Sequence, residues 1–387
     1  MPASRPPTRT AHVPNASLTF REALVALAWP AAVADAELRL AEALAVPAVV
    51  LFASARGALS AAIAALAEGA EVALPAYTCA AVANAAISAG KTPVFVDVDS
   101  RGLVPADAWP AGLLPIVQDT YGLVADAPKG RMFVRDTAHR AFPVGANGAA
   151  ITISSFEHSK SLSAGRGGLA TIDDPTLAAD LRALRDRHNA IPSSLRHAGV
   201  TFATIAMGRL DAAGRHLSAE LFRKVAWHLA ETRLLGQSAT ELAGRGIDPE
   251  LLGAPDGRAT RLMLSQVRRA AAIASHRLSI VSIYDRLAGL ARDSEPLIRY
   301  PLTAVDPSAF EHALADSGWD VRGRWFTAPL HPAGSNLAAL GYEPGSAPNA
   351  ERLAATVVNL PTHPLVGDED ARTLMTAALA AGASPLS

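Results

Sequence analysis

Three stretches of the chain hold side chains whose types and spacing could do covalent chemistry. In SSFEHSKSLSAGRGG, residues 154–168, a single lysine, Lys160, stands between an apolar run and a patch of small residues with no obvious counter-charge beside it. An amine held away from water has a lowered pKa and becomes a nucleophile suited to Schiff-base formation. In RMFVRDTAHRAFP, residues 131–143, Asp136 follows an apolar run and lies 160 − 136 = 24 positions before the lysine. A carboxylate in that place suits a pyridine nitrogen that must stay protonated, the requirement of pyridoxal phosphate chemistry. His139 follows it by three residues and could stack on such a ring or hydrogen-bond to it. The third stretch, FASARGALS, turns from an apolar run into a helical pattern through small residues. The free amides of Ser54, Ala55, Arg56 and Gly57 could cradle a phosphate there. Ser155, five residues before Lys160, could add a hydroxyl. Each residue also has an ordinary reading: a solvated lysine, a helix-capping aspartate, a loop histidine, a structural turn.

These residues need a scaffold, and the surrounding pattern supplies one. From residue 48 short apolar runs (AVVLFA, EVALP, TPVFVDV, LPIVQD, AAITISS, GLATI) alternate with alanine-rich helical stretches. Near-continuous apolar strands between helices predict an α/β fold, a mostly parallel sheet sandwiched by helices. Lys160, Asp136 and the phosphate turn would then follow strand C-termini, where open α/β sheets bind ligands. From about 175 to 290 helical patterns dominate, with an insertion expected over 195–255. DSEPLIRYP restarts extended structure, and WDVRG, ATVVNLPTHP and a closing helix fit a smaller C-terminal α+β domain. The organisation expected is an N-terminal arm and helices over 1–47, a large domain over 48–290 and a small domain over 291–387.

Composition narrows the partners. The 387 residues are 50% hydrophobic and 18% charged, with a formal net charge of −1, which gives no electrostatic footprint for nucleic acid or an anionic membrane. The one cysteine, Cys79, permits no internal disulfide and points to a reducing, cytoplasmic setting. The proline-rich MPASRPPTRTAHVPNAS reads as a flexible arm rather than a signal peptide. No apolar stretch reaches the length of a membrane span, and neither GxGxxG nor GxxxxGK[ST] occurs.

Taken in order, SARGAL, EVALPAYTCAAVANAAISAGKTPVFVDVD, DTYGLVAD, RDTAHRAFP, SSFEHSKSLSAGRGG and VVNLPTHPLV resemble the DegT/DnrJ/EryC1 family of pyridoxal phosphate aminotransferases, strongly over 48–180 and more loosely over 257–380. The resemblance implies fold type I, a homodimer, and pyridoxal 5'-phosphate as cofactor, with no metal. It assigns Lys160 to the Schiff base and Asp136 to the pyridine nitrogen. Ser155 becomes a phosphate ligand, Ala55 and Arg56 occupy the phosphate turn, and His139 lies beside the ring. Cys79 stands where many members place an aromatic against the ring, Arg166 replaces a common glutamate, and Glu157 with His158 replaces a histidine three before the lysine. No counterpart of the family's Asn-Tyr-Arg segment is found after 185; Asn189 and Arg258 are weak matches. The activity implied is transfer of an amino group from an amino acid, commonly glutamate, to a nucleotide-linked keto-sugar. Arg166, Arg185, Arg187, Arg196, Arg322 and Arg324 are available for a diphosphate, though surface solvation accounts equally for most. The alternatives are an aminotransferase or lyase acting on a cyclitol or other natural-product ketone, and a non-catalytic binding protein.

Overall fold

A computed structural model describes residues 9–142, 148–188, 194–213, 221, 224–225 and 238–386. Within them the expected α/β architecture is present. Helices α1 (Phe20–Ala28) and α2 (Val33–Leu44) lead into strand β1 (Ala48–Phe52) and helix α3 (Ala55–Leu66). There follow β2 (Glu71–Pro75), α4 (Ala80–Ser88), β3 (Thr92–Val96), β4 (Leu114–Gln118), β5 (Val134–Asp136), β6 (Ile151–Ser155) and β7 (Gly168–Ile172). These strands form a 7-stranded sheet in the order β1-β7-β6-β5-β4-β2-β3, all parallel except β7.

The alternation of side chains along β1 shows why a continuous apolar run was needed. Val50 and Phe52 point into one core with Ala58, Ala62 and Ile63 of α3, while Val49 and Leu51 point into another with Ala36 and Leu40 of α2. A strand covered on both faces has no polar side to show in its sequence. Each such side chain contributes roughly 1.5–3 kcal/mol by leaving water. Helix α5 (Pro175–Asp186) and the 31-residue α7 (Gly257–Leu287) complete the two covering layers, with α6 (Ser194–Ala212) beside α1. Asp256 caps α7, accepting from the amides of Arg258 and Ala259. The expected insertion over 195–255 falls partly on residues outside the description, as does Asn189.

After α7 comes the smaller α+β part. Strand β8 (Arg299–Thr303) lies between β9 (Val357–Pro361) and β10 (Ser384–Pro385) in a 3-stranded antiparallel sheet. Helices α8 (Pro307–Asp316) and α10 (Asp368–Ala380) pack on it through Phe310, Leu314, Leu374 and Met375; α9 (Pro348–Thr356) leads into β9. WDVRG, read as a strand, supplies only a two-residue parallel pairing of Trp319–Asp320 with Arg9–Thr10. That pairing corrects the expectation of a flexible arm: from Arg9 onward the segment is tied down, and Asn15 and Ser17 are buried. Among the described residues no helix is long and apolar enough to cross a membrane.

Register brings the chemistry to one edge. Gln118 pairs with Asp136, Asp136 with Ile153, Ser155 with Gly168, and Gly168 with Phe52. The carboxyl ends of β1, β4, β5 and β6 therefore share a rim. Gly168 is required there, because a Cβ would lie 2.4 Å from the Ser54 carbonyl oxygen and 2.5 Å from the Ala55 amide nitrogen. We expect Gly168→Ala to push the Ser54–Ala55 turn outward and destabilise the fold by about 1–3 kcal/mol; an unchanged midpoint in urea unfolding would disprove that constraint.

Candidate active site

A cavity of about 400 Å³ opens at this rim. Ser54, Ala55, Arg56, Cys79, Asp136, His139, Ser155 and Lys160 all line it, so residues read as one site from separate stretches do converge.

One end is built by α3. The Ser54 hydroxyl accepts from the Gly57 amide at 3.0 Å and donates to the Leu251 carbonyl at 2.8 Å, fixing the helix start. Helix geometry leaves the first-turn amides of Ala55 and Arg56 without intrahelical acceptors, a seat for an anion. The Arg56 guanidinium is committed elsewhere: it reaches both carboxylate oxygens of the buried Glu241 at 2.5 and 2.6 Å. Arg56 therefore offers this end its backbone rather than a free charge. Ser155 closes the seat from the end of β6, its hydroxyl in a long 3.4 Å contact with the Glu157 amide.

At the centre stand Asp136 and His139, both buried, and Lys160, which is half-buried. Burial raises the Asp136 pKa, opposed by the Ala138 amide donating at 2.9 Å and by the charge of Lys160. Among the described residues no cation forms an ion pair with it. Burial lowers the Lys160 pKa against the opposing pull of Glu157, Cys79 and Asp136, which raises the share of neutral amine. Its Nζ lies 4.7 Å from the centroid of the Trp325 ring. His139 Nδ1 accepts from the Tyr121 amide at 3.2 Å, so in the neutral ring Nε2 carries the proton. Burial, then Lys160 and Arg299, hold His139 well below the usual histidine range and keep it neutral. Its ring stacks on Trp325 with centroids 5.0 Å apart.

The far wall was not anticipated. Arg277 from α7, Arg299 at the start of β8, Trp325, His331 and His363 all face the cavity. Nothing in the helical pattern around Arg277 or the strand pattern around Arg299 marks either as different from a surface arginine. Of the arginines offered from sequence for a diphosphate, Arg166 is the one that lines the cavity among the described residues, and it is paired with Asp256 at 3.0 Å. Arg185 is bound to Glu37 at 2.5 Å, Arg322 to Asp320 at 2.7 Å, and Arg324 donates to the Val357 carbonyl at 2.9 Å; none of these three reaches the cavity. Arg187 is exposed, Arg258 lies off the cavity, and the side chain of Arg196 lies outside the description. Cys79 does border the cavity, where burial pushes its thiol pKa up and keeps it neutral.

These features fit pyridoxal 5'-phosphate. The cavity has a helix N-terminus and a hydroxyl at one end. At its centre it has a buried carboxylate lacking an ion-pair partner among the described residues, with a half-buried amine beside it. Residues 31–108 match the DegT/DnrJ/EryC1/StrS aminotransferase family. That match covers 78 of the 387 residues. The fold agrees over nearly its whole length. PseC of Helicobacter pylori, an aminotransferase involved in the biosynthesis of pseudoaminic acid, superposes with a TM-score of 0.68 at 16% identity, covering 96% of this chain and 99% of that one. DesI, solved in the presence of its TDP-sugar product, gives 0.66 at 20% identity, covering 98% and 96%. In sequence, the L-glutamine:2-deoxy-scyllo-inosose aminotransferase of Streptomyces kanamyceticus is 33% identical over 137 residues, 30% of this chain and 32% of that protein. The match thus spans about a third of that relative's length.

Where DegT-type chains often carry histidine three before the lysine, this chain has Glu157. Burial opposes its ionisation, but the His158 ring, the charge of Lys160 and the Ser159 hydroxyl at 2.5 Å outweigh that and hold it well below the usual carboxylate range. A carboxyl depressed in the folded state contributes stability above its unfolded pKa, about 4.3. That contribution is lost as pH falls through the folded value. Glu157→Gln should flatten the loss of thermal stability below about pH 4, and an unaltered acid limb would show the carboxylate is not held by these partners.

Proposed function

We propose that the chain is a pyridoxal 5'-phosphate-dependent aminotransferase that moves an amino group from an amino-acid donor to the ketone of a sugar or cyclitol. The observation that carries this is the placement of half-buried Lys160 beside the buried carboxylate of Asp136, which has no ion-pair partner among the described residues, with the α3 N-terminus at the other end of one cavity. When bound, the cofactor supplies an aldehyde that condenses with amines and a protonated pyridine ring that takes up electron density. Asp136 would hold the proton on the pyridine nitrogen, its charge balanced by that proton. The amides of Ala55 and Arg56 and the hydroxyl of Ser155 would bind the phosphate. Lys160, with a lowered pKa, would act as base and then acid, taking a proton from the donor's α-carbon and returning one on the path to product. His139, pinned by the Tyr121 amide, would present a fixed ring beside the cofactor.

The acceptor class rests on the relatives: one is named for glutamine and an inosose, another was solved with a TDP-sugar product. A donor of the glutamate and glutamine type follows the same pattern. We assign the chain a large cofactor-binding part over 48–290 and a small part over 291–387, supported by the separate 7-stranded and 3-stranded sheets; Leu330, Leu353 and Val357 of the small part pack into the apolar core of the large one. A reducing, cytoplasmic setting accords with the single cysteine.

We also propose a homodimer. Helices α1 and α2 and the turn between them expose Leu24 (56%), Trp29 (66%) and Leu38 (73%), large apolar side chains that a second copy of the chain would cover. Sedimentation should give twice the chain mass of 40.1 kDa, and Leu24→Glu should shift it toward one; a wild-type protein sedimenting as a monomer would refute the assignment.

For the activity, purified protein mixed with pyridoxal 5'-phosphate should develop a long-wavelength absorption band that glutamate or glutamine shifts to shorter wavelength. Lys160→Ala, folded by circular dichroism, should lose that band and slow donor turnover by at least about 10²–10⁴-fold. A band that no amino donor changes would favour a lyase, and transamination persisting in the variant would remove Lys160 from the mechanism.

A further inference from the structure

In place of the histidine that DegT-type chains often carry, Glu157 puts a carboxyl three residues before the reactive amine. The turn that bears both is closed by the Lys160 amide, which donates to the Glu157 carbonyl at 2.9 Å. Both side chains line the cavity. The carboxylate is held from its own turn: Oε2 accepts from the Ser159 amide at 3.0 Å and from the Ser159 hydroxyl at 2.5 Å, and Oε1 meets His158 Nδ1. These contacts favour the ionised form and fix where its charge lies.

That charge is felt across the cavity. Lys160 on the same turn, Arg56 at the start of α3, His139 after β5 and Arg299 at the start of β8 are all drawn by it toward their protonated forms. Three groups oppose the desolvation of the Lys160 amine: Glu157 first, then Cys79 and Asp136. Two of them drop out. The Cys79 thiol, just ahead of α4, is kept neutral by burial. Asp136, in the aminotransferase reading, has its charge offset by the protonated pyridine nitrogen of the bound cofactor. Among the described residues no further carboxylate lines the cavity. Arg56 pushes the amine the other way, and burial holds His139 and His331 below the usual histidine range, so neither adds charge at neutral pH. The Trp325 ring, 4.7 Å from Nζ, favours a cation, but it is shared with Arg299, whose guanidinium carbon lies 4.0 Å from its centroid.

We propose that Glu157 is a positioning residue that acts through Lys160: its fixed carboxylate holds a proton on the Lys160 amine and so sets the pH above which that amine is free. The role assigned to the bound state rests on the aminotransferase reading, through the offset of Asp136; the link between Glu157 and Lys160 belongs to the chain alone. An anion beside the amine weights it toward the form that returns a proton and against the form that takes one. Glu157 is ionised throughout the neutral range, so it acts as a constant charge and adds no titration of its own there.

The chain has four lysines, Lys91, Lys129, Lys160 and Lys224, so amine labelling can be read residue by residue. Full-length protein without cofactor is treated with trace acetic anhydride over a pH series, and each lysine is quantified by peptide mass. In Glu157→Gln, which keeps an acceptor for Ser159 and removes the charge, the midpoint of Lys160 labelling should fall by about 1 in pH, with the other three lysines unmoved. Glu157→Asp, which keeps the charge, should stay near wild type. With pyridoxal 5'-phosphate added, the pH at which the long-wavelength band gives way to a shorter one should fall further in Glu157→Gln, by about 1–3, because Asp136 no longer assists. A Lys160 midpoint unmoved in Glu157→Gln, or moved equally in Glu157→Asp, would overturn the proposal. Should Glu157→Gln fail to fold by circular dichroism, Ser159→Ala, which releases the carboxylate, must lower the same midpoint, and no movement there overturns it. If no band develops with the cofactor yet the labelling midpoint falls, the aminotransferase reading fails and the link between Glu157 and Lys160 stands.

Discussion

Drawing the amine of Lys160 partly out of water is the constraint from which the rest of the site follows. A lysine nitrogen out of water favours its neutral form, and only opposite charges placed nearby keep that preference from becoming extreme. Glu157 and Asp136 do this from two different segments, so the fold must hold those segments in place around the amine. A sheet whose strands end on a common rim provides that rigidity. Asp136 closes β5, Ser155 closes β6, and register locks each to its neighbour by backbone hydrogen bonds rather than by side-chain contacts that could slip.

The same rim explains how charge is distributed. Toward α3 and α7 the buried arginines are neutralised by the protein itself: Arg56 by Glu241, whose own capping box with Ser238 anchors it, and Arg166 by Asp256, which also caps α7. These pairs are structural, tying late segments of the chain to the helix starts beside the cavity. Toward the C-terminal sheet Arg277 and Arg299 have carbonyls, a hydroxyl and the Trp325 ring as partners and no carboxylate among the described residues. A site with compensated charge on one side and uncompensated charge on the other is polarised before any ligand enters.

What the sequence made legible follows from the distances over which each feature is determined. The strands of the main sheet were readable because two-sided burial leaves an uninterrupted apolar run, a local property. Lys160, Asp136, His139, Ser155 and the Ser54 turn were readable because each follows such a run, so their convergence was implied by topology. The choice among arginines was not. Whether Arg185 is free depends on Glu37, nearly 150 positions away in the chain, and whether Arg299 is free depends on the absence of any carboxylate from several elements at once. Periodicity reports neither. The N-terminal segment failed for the same reason: its composition is that of a loose arm, yet Arg9 and Thr10 pair with Trp319 and Asp320 from the far end of the molecule.

Tyr121 shows how the two sheets are coupled through the site. Its backbone has φ of 59°, an uncommon conformation for a side chain of that size. Contacts from both parts of the chain hold it there: its carbonyl accepts from the Ile298 amide at 3.0 Å, and its hydroxyl meets Tyr77 and the Trp325 carbonyl, each at 2.9 Å. Only with Tyr121 in this conformation does its amide face His139 Nδ1 and fix the tautomer of that ring. Ile298 immediately precedes Arg299, and both Arg299 and Lys160 approach the Trp325 ring, so the groups that hold Tyr121 are neighbours of the groups that face the cavity. Displacing the C-terminal sheet would therefore disturb the His139 tautomer and the placement of the Arg299 charge together, and a ligand that fixes one stabilises the other.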